Sequence, residues 1–141
     1  MDVKKAFLHG KLKEELYMRP PEGFEDRRGR NLVCKLEMSL YGLKQSPRQW
    51  NRRFDSFITG IGFERSQYDN CVYFSSSKSN DIIIFVIYVN DLFIASRCKD
   101  EIKRLKSNLS SEFEMKDLGL AQRILGMAIT RDRKKGVLKI D

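Results

Sequence analysis

An amide and a carboxylate stand side by side between two apolar runs near the middle of the chain. They are Asn90 and Asp91, preceded by eight apolar or aromatic residues at 82–89 and followed by a second apolar run at 92–96. Mg²⁺ prefers oxygen ligands of this kind, so one chemistry the pair offers is divalent-metal binding. The alternative is an ordinary hairpin turn, because asparagine and aspartate tolerate the backbone of tight turns. Taken alone, the stretch favours the turn.

The apolar run at 82–89 must position this pair. Eight residues are too few to cross a membrane, and the β-branched composition is typical of a buried strand. The pattern therefore predicts a β-hairpin with its turn at Asn90 and Asp91. We find no signal peptide or membrane span in the sequence and expect no membrane partner.

The cysteine and histidine content argues against a zinc site and a disulfide framework. The chain has three widely spaced cysteines and one histidine, His9. Free thiols indicate a reducing compartment, so we expect a cytoplasmic or nuclear location.

The charge of the chain indicates its class of partner. The 141 residues are 41% hydrophobic, enough for one domain spanning 1–141, and the net charge is +8. Such a charge attracts polyanions, so the partner is nucleic acid or an acidic surface, unless the protein is simply basic and soluble.

Two helices are predicted. For the first, Ser46 is the expected N-cap, Pro47 the first helical residue and Gln49 the partner in a capping box. The apolar face of this first helix comprises Trp50, Phe54, Phe57, Ile58 and Ile61. Gly60 and Gly62 are expected to end it. The second helix begins at Lys99 or Asp100, and its apolar stripe comprises Ile102, Leu105, Leu109 and Phe113.

The remaining segments predict strands and loops. Strands are expected near the start and at 32–36, 70–74, 124–129 and 137–140. A polar surface excursion is expected over 11–30, with a serine-rich loop at 75–80. The excursion carries five basic residues that contact either phosphate or only solvent: Lys11, Lys13, Arg27, Arg28 and Arg30. The order of elements fits an α+β fold, a mostly antiparallel sheet with helices packed on one face.

Five motifs in register give a resemblance to a known family. They are Asp2-Val3-Lys4-x-Ala6-Phe7-Leu8-x-Gly10, Leu16-Tyr17-Met18-x-x-Pro21-Glu22-Gly23-Phe24, Ser39-Leu40-Tyr41-Gly42-Leu43-Lys44-Gln45-Ser46-Pro47-Arg48-x-Trp50, Tyr88-Val89-x-Asp91 and Met115-Lys116-Asp117-Leu118-Gly119. Each motif alone is weak. Together, from Met1 to about Arg131, they resemble the reverse transcriptase of copia-type LTR retrotransposons, a part of the Pol polyprotein.

The resemblance implies the palm of a right-hand polymerase. In this family the central hairpin carries Tyr-x-Asp-Asp, and a third aspartate comes from the strand that opens the palm. The catalytic positions are then Asp2, Asn90 and Asp91, and Asp2 and Asp91 are the expected metal ligands. Two Mg²⁺ ions would serve nucleotidyl transfer from deoxynucleoside triphosphates onto an RNA or DNA template-primer.

Further positions carry over from the family. Phe7 matches the residue under the nucleotide sugar, the alternative being a core phenylalanine. Tyr41 and Gly42 match the motif against the incoming nucleotide, although Gly42 also suits a plain turn. Lys116 matches a proton donor only weakly, and an exposed lysine is the alternative. The segment containing Leu125 and Gly126 resembles the primer-grip hairpin.

Two departures from the family affect the expected activity. Asn90 stands where the family has an aspartate, which removes a full charge next to the metal position. The chain also starts immediately before the catalytic aspartate and stops before the thumb and RNase H regions, so we expect truncated fingers and no thumb. These departures predict a partial polymerase, inactive as this chain. The alternative is a non-catalytic basic nucleic-acid-binding remnant or pseudogene product.

Overall fold

The structure, a computed structural model, describes residues 1–24, 32–76 and 81–141. The predictions for Arg27, Arg28, Arg30 and most of the serine-rich loop lie outside these residues. The described part contains two α-helices, α1 (Ser46–Gly60) and α2 (Lys99–Glu112), and a short 3₁₀ helix, Ala6–His9. Neither α-helix is long and apolar enough to cross a membrane.

The strands of the described part all pair antiparallel. They are β1 (Asp2–Val3), β2 (Lys11–Met18), β3 (Cys34–Met38), β4 (Glu64–Arg65), β5 (Val72–Ser76), β6 (Ile82–Tyr88), β7 (Asp91–Ser96), β8 (Met115–Lys116), β9 (Arg123–Ile124), β10 (Met127–Asp132) and β11 (Val137–Ile140). They form three sheets, in the orders β4-β5-β6-β7-β1-β8, β11-β10-β9 and β2-β3. The mixed composition and antiparallel pairing confirm the α+β class, with three sheets in place of one.

The first compact unit comprises Met1–Lys4 and Gly62–Asp141. Alternation in β6 divides its side chains between two faces, because successive strand residues point to opposite sides. Ile83, Phe85 and Ile87 are buried, whereas Ile82 and Ile84 are exposed. Helix α2 packs against β7 and buries Leu105, Leu109 and the adjoining Phe113, which confirms most of its predicted stripe.

The second compact unit comprises Lys5–Ile61. It contains the 3₁₀ helix, the β2–β3 hairpin and α1. On α1, Trp50, Phe54 and Ile58 are buried, which confirms the centre of the predicted apolar face. The predicted end of this face is less buried, since Phe57 is partly exposed and Ile61 is 37% exposed.

The predicted capping box of α1 is wrong. The residue before the helix is Gln45, and no side chain caps the first turn. The hydroxyl of Ser46 donates to the carbonyl oxygen of Leu40, in the preceding loop. The serine therefore stabilises the chain reversal before the helix. Pro47 still lies in the first turn, where its missing N–H needs no partner.

Three strand predictions also need correction. The first strand is only two residues long, because Lys5 adopts φ 55 and turns the chain into the 3₁₀ helix. The surface excursion predicted over 11–30 includes the strand β2, paired with β3 around an irregularity between Lys11 and Leu16. Charged residues dominate β2, so its composition concealed a strand that pairing with β3 stabilises. The strand predicted at 124–129 is interrupted by a turn, described below.

Candidate active site

The tip of the β6–β7 hairpin lies one residue earlier than predicted. Tyr88 and Asp91 are the last paired residues of the two strands, so the turn consists of Val89 and Asn90. Val89 adopts φ 56, and Asn90 is not among the residues with positive φ. This is the pattern of a type II′ turn, whose twist suits a two-residue hairpin. Asp91 is therefore the first residue of β7 and not a turn residue.

Val89 is a strained residue in this turn. Positive φ is uncommon for residues other than glycine and is a genuine outlier for a β-branched side chain. A strained backbone persists only where the surrounding structure holds it in place. The long, partly buried ladder between β6 and β7 supplies that constraint immediately beside Asn90 and Asp91.

Strand β1 brings Asp2 directly opposite Asp91. The backbone N–H of Val3 donates to the backbone carbonyl oxygen of Asn90 at 2.8 Å. The backbone N–H of Leu92 donates to the backbone carbonyl oxygen of Met1, also at 2.8 Å. Because these bonds flank the pair, Asp2 and Asp91 form a non-hydrogen-bonded pair, in which opposed Cα atoms are about 4.5 Å apart and the side chains share a face. Two carboxylates therefore stand next to each other on one face of the six-stranded sheet.

The same register extends this line of side chains in both directions. On the other side of β1, Asp2 is opposite Lys116 of β8, and Asp91 is opposite Tyr88 of β6. Opposed residues of an antiparallel sheet point to one face. We refer to Lys116, Asp2, Asp91 and Tyr88 as the carboxylate row. Lys116 is exposed, as its alternative interpretation predicted, and it also belongs to this row.

Asn90 contacts the carboxylate row through its side chain. Its Nδ2 donates a hydrogen bond to Oδ1 of Asp2. Asn90 and Asp2 are both partly buried, whereas Asp91 is exposed. The structure thus brings together all three predicted catalytic residues. In this arrangement Asn90 acts as a donor to one carboxylate, where an aspartate would add a third negative charge.

The donor set decides how well these residues suit a divalent cation. Within residues 1–24, 32–76 and 81–141, no three His, Cys, Asp or Glu side chains converge to hold a metal ion. Two opposed carboxylates still suit Mg²⁺, because a cation between them relieves their mutual repulsion. Asp2 and Asp91 therefore fit a divalent cation as anionic ligands, with the neutral amide of Asn90 beside them.

A salt bridge lies just beyond β8, in the Met115–Gly119 motif. Lys106 Nζ lies 2.8 and 2.9 Å from the two carboxylate oxygens of Asp117, and the N–H of Gly119 donates to Asp117 Oδ1 at 2.9 Å. The hydrogen bond from Lys106, followed by that from Gly119, lowers the pKa of Asp117. These contacts tie the segment after β8 to helix α2.

Two predicted nucleotide-binding residues are neighbours in the second unit. The ring centroids of Phe7 and Tyr41 are 5.0 Å apart, in a tilted arrangement. Phe7 lies in the 3₁₀ helix and is partly buried, so it is not simply a core residue, and 61% of Tyr41 is exposed. Gly42 adopts φ 90, which explains the glycine at this turn. Their role in nucleotide binding stays a prediction.

Leu125 and Gly126 form a tight turn between β9 and β10. Their φ angles are 52 and 84, and Ile124 pairs with Met127 across the turn. Positive φ at both central residues is typical of a type I′ hairpin turn. The segment is therefore a hairpin, as the resemblance implied, and the prediction of a continuous strand at 124–129 is wrong. The primer-grip role stays a prediction.

A basic groove in the second unit was not predicted as a site. It lies between β2 and α1 and is lined by Lys11, Lys13, Gln49, Arg52, Arg53, Asp55 and Ser56. A signal was present in the sequence, because lysines two apart share a strand face and residues 49, 52, 53 and 56 share a helix face. The strand β2 had not been recognised, so the two sets were not brought together.

The chain is similar to several transposon polyproteins over most of its length. The chain is 53% identical over 133 residues to the Retrovirus-related Pol polyprotein from transposon TNT 1-94 of Nicotiana tabacum, covering 94% of this chain and 10% of that protein. It is 36% identical over 131 residues to the Retrovirus-related Pol polyprotein from transposon RE1 of Arabidopsis thaliana, covering 93% of this chain and 9% of that protein. It is 30% identical over 145 residues to the transposon Ty1-GR3 Gag-Pol polyprotein of Saccharomyces cerevisiae, covering 96% of this chain and 8% of that protein.

The chain thus spans about a tenth of the length of these polyproteins, or less. No solved structure matches it. The model of the family described as reverse transcriptase (RNA-dependent DNA polymerase) matches residues 1–140, nearly the whole chain and both compact units. The chain belongs to the reverse transcriptase family and to its copia-type retrotransposon Pol polyproteins.

Proposed function

We propose that this chain is the palm of a copia-type reverse transcriptase, with Asp2 and Asp91 as metal-binding carboxylates and with nucleotidyl transfer severely impaired by Asn90. The observation that carries the proposal is the pairing of Asp2 with Asp91, with Asn90 hydrogen-bonded to Asp2. Asp2 is 88 positions from Asn90 in the sequence, yet it lies beside the consecutive residues Asn90 and Asp91 at the hairpin tip. They are the positions to which the family resemblance assigns the catalytic aspartates.

The residues of the chain contribute position and charge. Two bound Mg²⁺ ions would activate the primer 3′-hydroxyl and bind the incoming triphosphate. Asp2 is held on a strand that pairs with β7 on one side and β8 on the other. Asp91 begins a strand paired on both sides. Such placement suits carboxylates that must stay fixed within a fraction of an ångström.

Asn90 weakens this arrangement in two ways. It offers a neutral oxygen where an aspartate offers an anionic pair, and its amide engages one oxygen of Asp2. A unit charge about 4 Å from a single charge contributes roughly 4 kcal/mol at an effective dielectric of 20. A loss of that size in transition-state stabilisation corresponds to about a thousandfold in rate.

The remaining predicted positions complete the proposal. We assign Phe7, Tyr41 and Gly42 to the deoxynucleoside triphosphate, and Leu125 and Gly126 to the primer. The template-primer would be RNA or DNA. The contact between the Phe7 and Tyr41 rings supports a shared role for these two residues.

Primer extension tests the proposal. This chain replaces the matching segment of the tobacco polyprotein, and extension is measured with Mg²⁺ and with Mn²⁺. We expect Asn90→Asp to raise the extension rate about a thousandfold. Asn90→Ala is the control and should remain as slow as the unaltered chimera. Asp2→Asn in the Asn90→Asp background should abolish the gain. Equal rates for the unaltered chimera and Asn90→Asp would contradict the proposed impairment.

The basic groove favours a second candidate, a nucleic-acid-binding module without catalysis. Four cations face one carboxylate in that groove. In this case the chain binds an oligonucleotide, but no substitution at Asn90 produces extension. The chimera experiment therefore separates the two candidates.

A further inference from the structure

The basic groove is an open cavity of about 370 Å³ within the second unit. Lys11 and Lys13 line it from β2, in the stretch where the pairing of β2 with β3 is irregular. Gln49, Arg52, Arg53 and Ser56 line it from α1, at the spacing of one helix face. Strand and helix therefore present two lines of side chains to a shared space.

The charge of the groove is strongly positive. Its lining includes Lys11, Lys13, Arg52 and Arg53 against the single carboxylate of Asp55. Lys11, Lys13 and Arg52 are exposed, and within the described part of the chain their side chains make no hydrogen bond or ion pair. Elsewhere several exposed lysines are paired, as Lys35 is with Glu15. Unpaired cations close together repel one another, so an anion in the groove would lower their energy.

Gly10 sets the distance between the two walls. A Cβ atom on Gly10 would lie 2.8 Å from the Gln49 Cβ and 3.0 Å from the Ser39 Oγ. Only glycine permits this approach of the chain to α1, immediately before Lys11 begins β2. Gln49 is buried beneath the groove, with 7% of its surface exposed. The walls are thus held by close packing, with the two arginines on a regular helix and the two lysines on the irregular part of β2.

We propose that this groove binds the sugar-phosphate backbone of a nucleic acid strand. The helix face from Gln49 to Ser56 is about 10 Å long, at 1.5 Å per residue. One duplex strand carries a phosphate for about every 3.4 Å of the duplex axis, so a face of this length running along that axis spans roughly three phosphates. None of the lining residues is aromatic, so no base stacks there and binding is independent of sequence.

The choice of nucleic acid over another polyanion rests on the proposed polymerase function. The groove itself does not depend on that function, since it contains none of the residues of the carboxylate row. Its residues also differ from Phe7, Tyr41 and Gly42. Loss of the groove should therefore weaken nucleic-acid binding without altering the response of extension to Asn90→Asp.

The test is a titration of a fluorescein-labelled 20-nucleotide DNA, single-stranded or paired with RNA, between 50 and 300 mM salt. Each phosphate contact contributes about 0.7–0.9 to the slope of log K against log salt. We expect Lys11→Ala/Lys13→Ala to reduce the slope by about 1.4–1.8, and Arg52→Ala by about 0.7–0.9. At 100 mM salt, each removed contact should weaken binding about fivefold to eightfold.

The matched control is Lys134→Ala/Lys135→Ala, which removes the same charge from exposed positions between β10 and β11. Circular dichroism verifies that each variant is folded. Inorganic phosphate and a deoxynucleoside triphosphate are added as competitors, to distinguish a strand from a small phosphate ligand. Equal losses for the groove and control variants would overturn the proposal, as would displacement of the DNA by millimolar triphosphate alone.

Different experimental results would contradict the groove proposal and the proposed polymerase function. If the groove variants bind normally while Asn90→Asp restores extension, the groove proposal is wrong and the polymerase proposal stands. If the groove variants lose binding while Asn90→Asp restores nothing, the groove stands and the polymerase proposal is wrong.

Discussion

The side chain of Asn90 donates a hydrogen bond to the carboxylate of Asp2, from which it is separated by 88 positions in the sequence. The contact joins a hairpin tip to the strand β1 that lies beside it in the sheet. It replaces what would be a repulsion between two carboxylates if residue 90 were an aspartate. The amide therefore stabilises the carboxylate row in the absence of metal, while weakening its attraction for a cation.

Asn90→Asp should lower stability without metal and restore it with metal. The loss of a hydrogen bond to a charged group and the added repulsion cost about 1–2 kcal/mol. For a chain of this size, the melting temperature should fall by about 3–6 °C in EDTA. In 10 mM Mg²⁺ the variant should recover by mass action. Thermal denaturation in both buffers measures this effect.

The control for that measurement is Asn90→Ala, which removes the hydrogen bond without adding a charge. Its melting temperature should fall less, and Mg²⁺ should raise it no more than it raises that of the parent chain. If Mg²⁺ raised the melting temperature of all three proteins equally, the expected gain in cation binding from an aspartate at position 90 would be contradicted.

Val89→Gly should stabilise the hairpin. Relief of positive φ at a β-branched residue stabilises the folded chain by about 1–2 kcal/mol. The greater freedom of glycine in the unfolded chain offsets this gain by about 0.5–1 kcal/mol. The net gain of about 0.5–1 kcal/mol is measured by urea denaturation. Val72→Gly, in strand β5, is the matched control and should be destabilising by more than about 1 kcal/mol. A loss of stability in Val89→Gly would show that the turn is not strained.

Gly10→Ala should be strongly destabilising. The added methyl group would lie 2.8 Å from the Gln49 Cβ and 3.0 Å from the Gln49 carbonyl carbon, so strand or helix must shift. Overpacking of this kind costs about 1–3 kcal/mol. Gly60→Ala is the control, because an added Cβ there meets no atom within 4 Å. We expect the control to be neutral or slightly stabilising in the same denaturation experiment.

The Lys106–Asp117 salt bridge should make a small contribution to stability that acid removes. The pKa of Asp117 is lower in the folded chain than its ordinary value of 3.8. The contribution is therefore complete above about pH 4 and is lost as the pH falls through the folded pKa. Because Asp117 is half-exposed, solvent screening limits it to about 0.5 kcal/mol.

Asp117→Asn should thus differ from the parent chain at pH 7 and converge with it toward pH 2. Urea denaturation at a series of pH values measures the difference. A difference that stays constant over the whole range would contradict an ionic origin.

Alkylation should distinguish Cys34 from Cys71. Cys34 is exposed on β3, whereas Cys71 is partly buried. Burial, and then the neighbouring Asp69, raises the pKa of the Cys71 thiol. Since the thiolate is the reactive form, iodoacetamide at pH 7.5 should modify Cys34 before Cys71. Peptide mass spectrometry follows both sites.

Asp69→Ala should make Cys71 react faster, because removal of the Asp69 carboxylate lowers the pKa of the Cys71 thiol. A control in which Cys34 reacts at an unchanged rate excludes general unfolding. Faster reaction at Cys71 than at Cys34 in the parent chain would contradict the prediction.

The sequence by itself determined the elements that depend on local pattern. The apolar run at 82–89 predicted the strand β6, although only one of its faces is buried, and the spacing from Trp50 to Ile58 predicted the buried face of α1. Both follow from the period of side chains along one element, which neighbouring residues encode. The motif order also predicted the family, because motifs are read along the chain.

Local pattern failed where a contact outside the element itself decided the outcome. The hydroxyl of Ser46 suits an N-cap, but the nearby Leu40 carbonyl accepts its hydrogen bond. The charged strand β2 has little intrinsic preference for a sheet, and pairing with β3 stabilises it. The turn at Val89 and Asn90 follows from the register of β6 with β7, which places a valine at positive φ.

Only the tertiary structure decided which side chains meet. The opposition of Asp2 and Asp91, the hydrogen bond from Asn90 and the groove that Lys11 and Arg52 both line all join segments far apart in sequence. Strand register and helix packing result from the burial of many side chains at once, so no single motif encodes them. Residue types along the chain thus indicated which carboxylate and basic side chains to consider, and the folded chain determined which of them lie together.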